Sequence, residues 1–351
     1  MERRQLGCTG VSVSRFCLGA MMFGAWGNPD HDESIRIIRA ALDAGVNFVD
    51  TADVYGNMPV FDRPGAPAAA DRQPAEQLIG RALRGRRDEV VIATKSNGIV
   101  GHGVNDRGLS RRHIIRQVET SLRRLETDYI DLYYAHDPDP HTPLEQTLAA
   151  YDDLIRQGKI RYVGLSNHPA WLVTRALWIA DDRRLNAPVA VQVKYNLIDR
   201  AAERELAPAC AQFGLSIVPY APLHGGLLAS LEVLDRDVVG DQRFQGSGFP
   251  ESEIAIAREV ERLSRAWGLQ PYQVSLAWLL SRPAVASVIV GAETPDELRA
   301  NATATDVQLE TAQLDALTAL ASEPAAFYHR AGDEPERPPA TADPADPDAT
   351  D

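Results

Sequence analysis

Cysteine is scarce in this 351-residue chain: Cys8, Cys17 and Cys210 are the only three, and none stands in a Cys-x-x-Cys pair. An odd count without that spacing excludes a disulfide framework and a thioredoxin-type motif, and it points to a reducing, cytoplasmic home. Long apolar runs are missing too. None approaches the roughly 20 residues a membrane-spanning helix requires, and the charged start MERRQLGCTG has no signal-like apolar segment, so a soluble protein without a membrane partner is expected. Positive charge is in deficit, 36 Lys and Arg against 49 Asp and Glu, for a net charge of −13. Nucleic acid and anionic membrane surfaces are therefore excluded as general partners. No His/Cys cluster has metal-ligand spacing, so no metal is expected. No glycine-rich dinucleotide fingerprint follows the first strand-like run, which argues against a Rossmann domain.

What is present is a regular alternation. With 44% hydrophobic residues the chain can build a large core, and short β-branched runs alternate with longer helical patterns, the signature of parallel strands joined by crossover helices. The runs are residues 16–20, 46–50, 89–95, 129–136, 161–167, 189–196, 215–223 and 286–292. Glycines at 45, 158 and 214 stand where a left-handed residue would end a helix and turn the chain into the next strand. Eight strand-helix units predict an α/β fold, a closed (β/α)8 TIM barrel over residues 1–322. The opening RRQLGCTGVSVS reads as a β-hairpin turning at Gly7 to Gly10 and plugging the N-terminal end of the barrel. The last residues, 323–351, are acidic and rich in Pro and Ala, and are expected to be a disordered tail. Two segments exceed what connection requires: Gly56 to Gln73, either a substrate lid or a solvated insertion, and Gly225 to Pro250. Both are expected over the active face.

Four ionisable residues close three consecutive runs. Asp50 and Tyr55 lie in NFVDTADVYG, Lys95 ends VVIATK, and His136 ends YIDLYYAH. A free tyrosine has a pKa of about 10, so proton release near neutrality needs a cation beside the phenol. Lys95 supplies one, Asp50 would hold it charged and aimed, and His136 could hydrogen-bond a substrate oxygen. Singly, each has a plain structural explanation: a helix cap, a rim aromatic, a solvated lysine, a buried histidine. Jointly they stand at the C-terminal ends of different strands, where barrel enzymes carry their catalytic groups. The set reads as a device for moving a proton onto or off a carbonyl or alcohol oxygen.

The motifs DTADVYG, VVIATK, LRRLETDYIDLYYAHDPDP, GKIRYVGLSN, VQVKYNLIDR and VPYAPLHGG are long and ordered, and through them the chain resembles the aldo-keto reductase family over about residues 3–322. The resemblance implies a small-molecule carbonyl or alcohol substrate, a nicotinamide cofactor, NAD(H) or NADP(H), and a catalytic tetrad. Tyr55 is then the general acid in reduction, Lys95 lowers its pKa, Asp50 pairs with Lys95, and His136 orients the carbonyl. It further implies that Ser166, Asn167 and Gln192 bind the nicotinamide carboxamide and that Tyr220 stacks on the ring. Ala221, Leu223 and Gly225 of VPYAPLHGG, with Gly291 and Asn301, would complete the cofactor site. Trp26, His168, Tyr195 and His224 are further candidates to touch substrate or cofactor. The plain alternatives are helix capping by Ser166 and Asn167, and barrel-top packing by Tyr220.

The pattern breaks after the eighth run. Where the family commonly has Gly-Ala-Arg-Thr-Pro, this chain has GAETPDELRAN, with Glu293 in place of the arginine and Glu297 four residues on. Carboxylates there repel a 2′-phosphate and can accept from ribose hydroxyls, so NAD(H) is favoured. Ala300 replaces a frequent acidic residue, and the segment after GGLL lacks the usual Gly-Lys-Tyr, leaving Arg236 and Arg243 as candidates to reach the pyrophosphate. The expected activity is carbonyl-alcohol interconversion. The alternatives are a cofactor-sensing, non-catalytic subunit like the potassium-channel β subunits, which also resemble this family, and a barrel lyase or aldolase using Lys95 as a Schiff base.

Overall fold

The computed structural model describes residues 1–24, 30–58, 71–235 and 248–321. Strands β1 (Arg3–Gln5) and β2 (Ser12–Ser14) pair antiparallel, with Arg3 opposite Ser14. Eight strands follow: β3 (Phe16–Gly19), β4 (Phe48–Asp50), β5 (Val91–Ser96), β6 (Ile130–Ala135), β7 (Ile160–Ser166), β8 (Ala190–Gln192), β9 (Ser216–Ile217) and β10 (Val288–Val290). Each falls on one of the eight predicted runs. They form one parallel sheet in the order β10-β3-β4-β5-β6-β7-β8-β9. The two ends of this order meet. Ile289 N donates to Pro219 O at 2.9 Å and Ala286 N to Ile217 O at 3.0 Å, so β10 lies beside β9 as well as β3 and the sheet curls into a barrel.

Helices α1 (His31–Asp43), α2 (Ala75–Ala82), α3 (Arg111–Leu125), α4 (Leu144–Arg156), α5 (Ala170–Arg183) and α6 (Leu206–Phe213) cover the outside after β3 to β8 in turn. Then come α7 (Glu251–Ala266), α8 (Pro271–Leu280), α9 (Pro295–Ala302) and α10 (Thr311–Thr318). Local chemistry sets several of their ends. The Asp30 carboxylate accepts from Asp32 N and Glu33 N, and Ser110 Oγ accepts from His113 N. Gly45, Gly158 and Gly214 have φ of 88°, 73° and 69°, the left-handed turn into the next strand that their spacing predicts.

Period-two alternation sorts the strand residues into two layers. Cys17, Phe48, Ala93, Leu132, Ala190 and Val218 point into the barrel and pack with Tyr134 and Ile289. Their neighbours Leu18, Val49, Ile92, Tyr133, Val191 and Ile217 point outward to the helices. Leu6 and Val13 of the N-terminal hairpin belong to the inner cluster and are fully buried, so the hairpin closes the barrel floor as expected. The tail at 323–351 lies outside the described residues, as do 59–70 of the first long segment and 236–247 of the second. The described ends of the first segment come together beside Tyr55: Ala75 N donates to Tyr55 O at 2.8 Å, and Arg72 Nη1 to Met58 O at 3.2 Å.

Closure of the floor gives a direct test. Leu6→Ala empties space in the inner cluster and should cost about 2–5 kcal/mol in urea denaturation. Val104→Ala, at a side chain 92% exposed, should stay within about 0.5 kcal/mol of wild type.

Candidate active site

The inward stripe of each strand continues to the barrel mouth. Asp50 lies two residues beyond Phe48, Lys95 two beyond Ala93, His136 two beyond Tyr134, Gln192 two beyond Ala190, and Tyr220 two beyond Val218. Register then sets their heights: Asp50 pairs with Ala93 across the ladder, and Lys95 with Tyr134. Polar groups thus replace apolar ones on the same face at one end of the barrel.

Lys95 is fully buried, and its ammonium donates to Asp50 Oδ1 at 2.5 Å and to Thr51 O at 2.7 Å. It lies 3.5 Å from the Tyr55 hydroxyl and 4.9 Å from the centre of that ring. Gln192 Nε2 donates to Asp50 Oδ2 at 2.8 Å, so both carboxylate oxygens are engaged. The Tyr55 and His136 rings meet edge to face with centroids 5.8 Å apart. Neither ring nitrogen of His136 is hydrogen-bonded among the described residues, which leaves the imidazole available at the mouth.

Burial pushes the Tyr55 phenol above its ordinary value, with the Lys95 charge opposing it and the Asp50 charge adding to it. The sequence argument expected Lys95 to bring this group down. In the fold its pull is present, but loss of water outweighs it. Burial works against the Lys95 ammonium, yet the adjacent Asp50 carboxylate and Tyr55 leave it above the ordinary lysine value. Asp50 is raised by burial, with Lys95 and Gln192 pulling it down. His136 is lowered to about 3 by burial and by the Lys95 charge, so it is neutral near pH 7. The arrangement holds a protonated phenol, a charged lysine beneath it and a neutral imidazole beside it, which suits donating a proton to an oxygen placed between Tyr55 and His136.

The residues expected around a dinucleotide occupy the neighbouring strand ends. Ser166 ends β7 and pairs across the ladder with Gln192. Among the described residues its buried Oγ has no hydrogen-bond partner, and neither has Asn301 Nδ2 on α9. Buried polar groups are normally paired, so two orphans where a carboxamide and an adenine are expected fit such a ligand. A Cβ placed on Gly291 would meet nothing nearer than Met22 Cγ at 3.8 Å, which leaves the backbone there open. Tyr220 Oη donates to Asn167 Oδ1 at 3.1 Å. Ala221 and Gly225 have positive φ, 50° and 67°, and Leu223 lies between them in the turn after β9. Glu293 precedes the Thr294 cap of α9. Glu297 accepts from Glu293 N at 2.7 Å, so its carboxylate also closes the start of that helix.

The four weaker candidates separate. His168 is buried with Nδ1 donating to Ser166 O at 2.7 Å. Tyr195 points outward, packed on Trp278 and donating to Glu203 at 2.6 Å, because residue 195 has the opposite parity to the inward 190 and 192. His224 Nε2 donates to Glu253 at 2.8 Å, joining the two ends of the second long segment. Trp26, Arg236 and Arg243 lie outside the described residues. The sequence reading passed over Glu76 and Arg124. Arg124 Nη1 donates to Glu76 Oε2 at 3.1 Å and to Asp53 O at 2.8 Å, clamping the turn that carries Tyr55. The available signal was a pair of charges on the apolar faces of α2 and α3. Among the described residues no group of three or more His, Cys, Asp or Glu could hold a metal, and no helix is long and apolar enough to cross a membrane.

The structure is thus a parallel eight-stranded barrel with a buried Tyr-Lys-Asp cluster at its strand ends. The sequence model of the aldo/keto reductase family matches residues 15–322, and the chain belongs to that family of NAD(P)H-using oxidoreductases. It is 36% identical over 317 residues to the uncharacterized oxidoreductase YrpG of Bacillus subtilis, covering 88% of this chain and 93% of that protein. It is 33% identical over 320 residues to a probable voltage-gated potassium channel subunit beta of Oryza sativa, covering 88% and 92%. To the aldo-keto reductase YhdN of Bacillus subtilis it is 32% identical over 312 residues, covering 86% and 87%.

The buried histidine beside Ser166 gives a pH test. Burial lowers His168 to about 4, whereas the unfolded chain protonates near the ordinary value of about 6.5. The unfolded state therefore binds the extra proton first, and the stability this neutral ring contributes is lost as pH falls from about 6.5 toward 4. His168→Gln removes the term. Between pH 7.5 and 5 the wild type should lose up to about 2 kcal/mol more than the variant in urea denaturation, and parallel curves would count against a neutral buried His168.

Proposed function

We propose that the protein is a nicotinamide-dependent oxidoreductase that interconverts an aldehyde or ketone, a sugar derivative included, with the corresponding alcohol. The observation that carries this reading is the Tyr55 hydroxyl at the barrel mouth, 3.5 Å from a fully buried Lys95 that Asp50 holds. When bound, the cofactor supplies the hydride for reduction. Tyr55 gives its proton to the carbonyl oxygen, and Lys95 stabilises the phenolate left behind. The neutral His136 holds the same oxygen, and Asp50 keeps Lys95 charged and in place. Ser166, Asn167 and Gln192 would hold the carboxamide and Tyr220 the ring. Ala221, Leu223, Gly225, Gly291, Glu293, Glu297 and Asn301 would line the rest of the dinucleotide. A non-catalytic cofactor sensor is the second reading, favoured by the likeness to the probable voltage-gated potassium channel subunit beta of Oryza sativa. Steady-state turnover separates the two, because the sensor predicts tight cofactor binding with almost no turnover.

Tyr55→Phe deletes the proton donor and little else. It should cut kcat for carbonyl reduction by about 10²–10⁴ while leaving cofactor affinity nearly unchanged, and a variant keeping more than about a third of wild-type kcat removes Tyr55 from the role. Lys95→Met should be as damaging, and the double variant scarcely worse, since the two groups act as one unit.

Cofactor choice follows from the turn before α9. Glu293 stands where a phosphate-binding arginine is expected, and Glu297 adds a second carboxylate at the same helix start. NAD(H) should serve at least as well as NADP(H). Glu293→Arg should shift the kcat/KM ratio toward NADP(H), about tenfold for each 1.4 kcal/mol recovered. A wild-type preference for NADP(H) above about tenfold would overturn this reading.

A further inference from the structure

Asp137 directly follows His136 and has no part in the tetrad. We propose that it is a positioning residue: it fixes the side-chain amide of Asn167 with the oxygen toward the nicotinamide slot, so that Asn167 accepts from the carboxamide NH2 and does not donate to the carboxamide oxygen. The inference rests on the nicotinamide reading above.

Asn167 Nδ2 donates to Asp137 Oδ1 at 2.8 Å and to the His136 carbonyl at 3.2 Å. A carboxylate and a carbonyl only accept, so only the NH2 end of the amide can face them. The orientation follows from this chemistry. The Asn167 backbone is held as well: its φ is 59°, and its N–H donates to Gln192 O at 2.9 Å. Asp137 is fixed in turn by Asn97, whose Nδ2 donates to the Asp137 carbonyl at 2.8 Å. What Asn167 has left is Oδ1, which takes the Tyr220 hydroxyl at 3.1 Å and keeps a second lone pair. Ser166 Oγ, the preceding residue's hydroxyl and without a partner among the described residues, is the complementary donor. A carboxamide has one NH2 and one oxygen. Read by Asn167 as acceptor and Ser166 as donor, it has one favoured orientation about its bond to the ring, and the ring face turned to the substrate is set with it.

The test compares binding of the oxidised dinucleotide with that of its 3-acetylpyridine analogue, in which a methyl ketone replaces the carboxamide and the NH2 is gone. Both are used with or without the 2′-phosphate, whichever form the wild type binds more tightly, and affinity is read from quenching of the fluorescence of the chain's five tryptophans. Wild type should prefer the natural dinucleotide by about tenfold, the effect of leaving an acceptor unpaired. In Asp137→Leu only the 3.2 Å contact to the His136 carbonyl and the Tyr220 hydroxyl still orient the amide of Asn167. Without the charged acceptor it can turn to donate to the acetyl oxygen, so the preference should fall to about threefold or less. Asp137→Asn keeps a carbonyl acceptor and loses only the charge, so it should retain the wild-type preference. A full preference in Asp137→Leu, its loss in Asp137→Asn, or none in wild type overturns the proposal. Failure of the wild type to bind either dinucleotide form sinks the nicotinamide reading and this inference together, whereas binding without the predicted pattern sinks the inference alone.

Discussion

The ion pair between Lys95 and Asp50, inside the barrel and away from solvent, is the interaction on which the rest of the site depends. An ammonium removed from water is costly, and a nearby carboxylate offsets that cost only when the remaining lone pairs and protons are also satisfied. Here they are: Thr51 O takes a second proton of Lys95, and Gln192 holds the second oxygen of Asp50. Removing one partner of such a buried pair typically destabilises by about 3–5 kcal/mol. The same pair places a fixed positive charge 3.5 Å from the Tyr55 hydroxyl, so one interaction maintains the local fold and sets the charge beside that phenol.

Around that pair the barrel provides two different environments from one repeating geometry. Apolar side chains fill the inner stripe below Asp50 and Lys95, down to the Leu6 and Val13 floor. Polar side chains take over above. The transition is abrupt, and it explains the electrostatics: His136 loses water and lies near a cation, so it falls to about 3, while the Tyr55 phenol loses water and rises. Burial favours the neutral form of each group, imidazole for one and phenol for the other.

A second layer of contacts holds the turn that carries Tyr55. Arg124 reaches from α3 to Glu76 of α2 and to the Asp53 carbonyl, and α2 begins with Ala75 N on the Tyr55 carbonyl. Asp137, Asn167 and Tyr220 form a comparable chain on the opposite wall. Precise placement of reacting groups depends on such support as much as on the groups themselves.

The sequence by itself determined the eight strands, the helix ends at Gly45, Gly158 and Gly214, the hairpin floor and the placement of Asp50, Lys95 and His136 at strand ends. Each of these is written in short-range periodicity or in residue type at a strand end, and such signals survive without knowledge of partners. The tertiary structure alone decided that Glu297 closes the start of α9, that burial outweighs Lys95 at Tyr55, and that Glu76 meets Arg124 and Asp137 meets Asn167. The last two pairs join residues 48 and 30 positions apart. No local rule couples residues at such separations. Which charges meet, and how much water each loses, is fixed only when the barrel closes and brings distant strand ends into one layer.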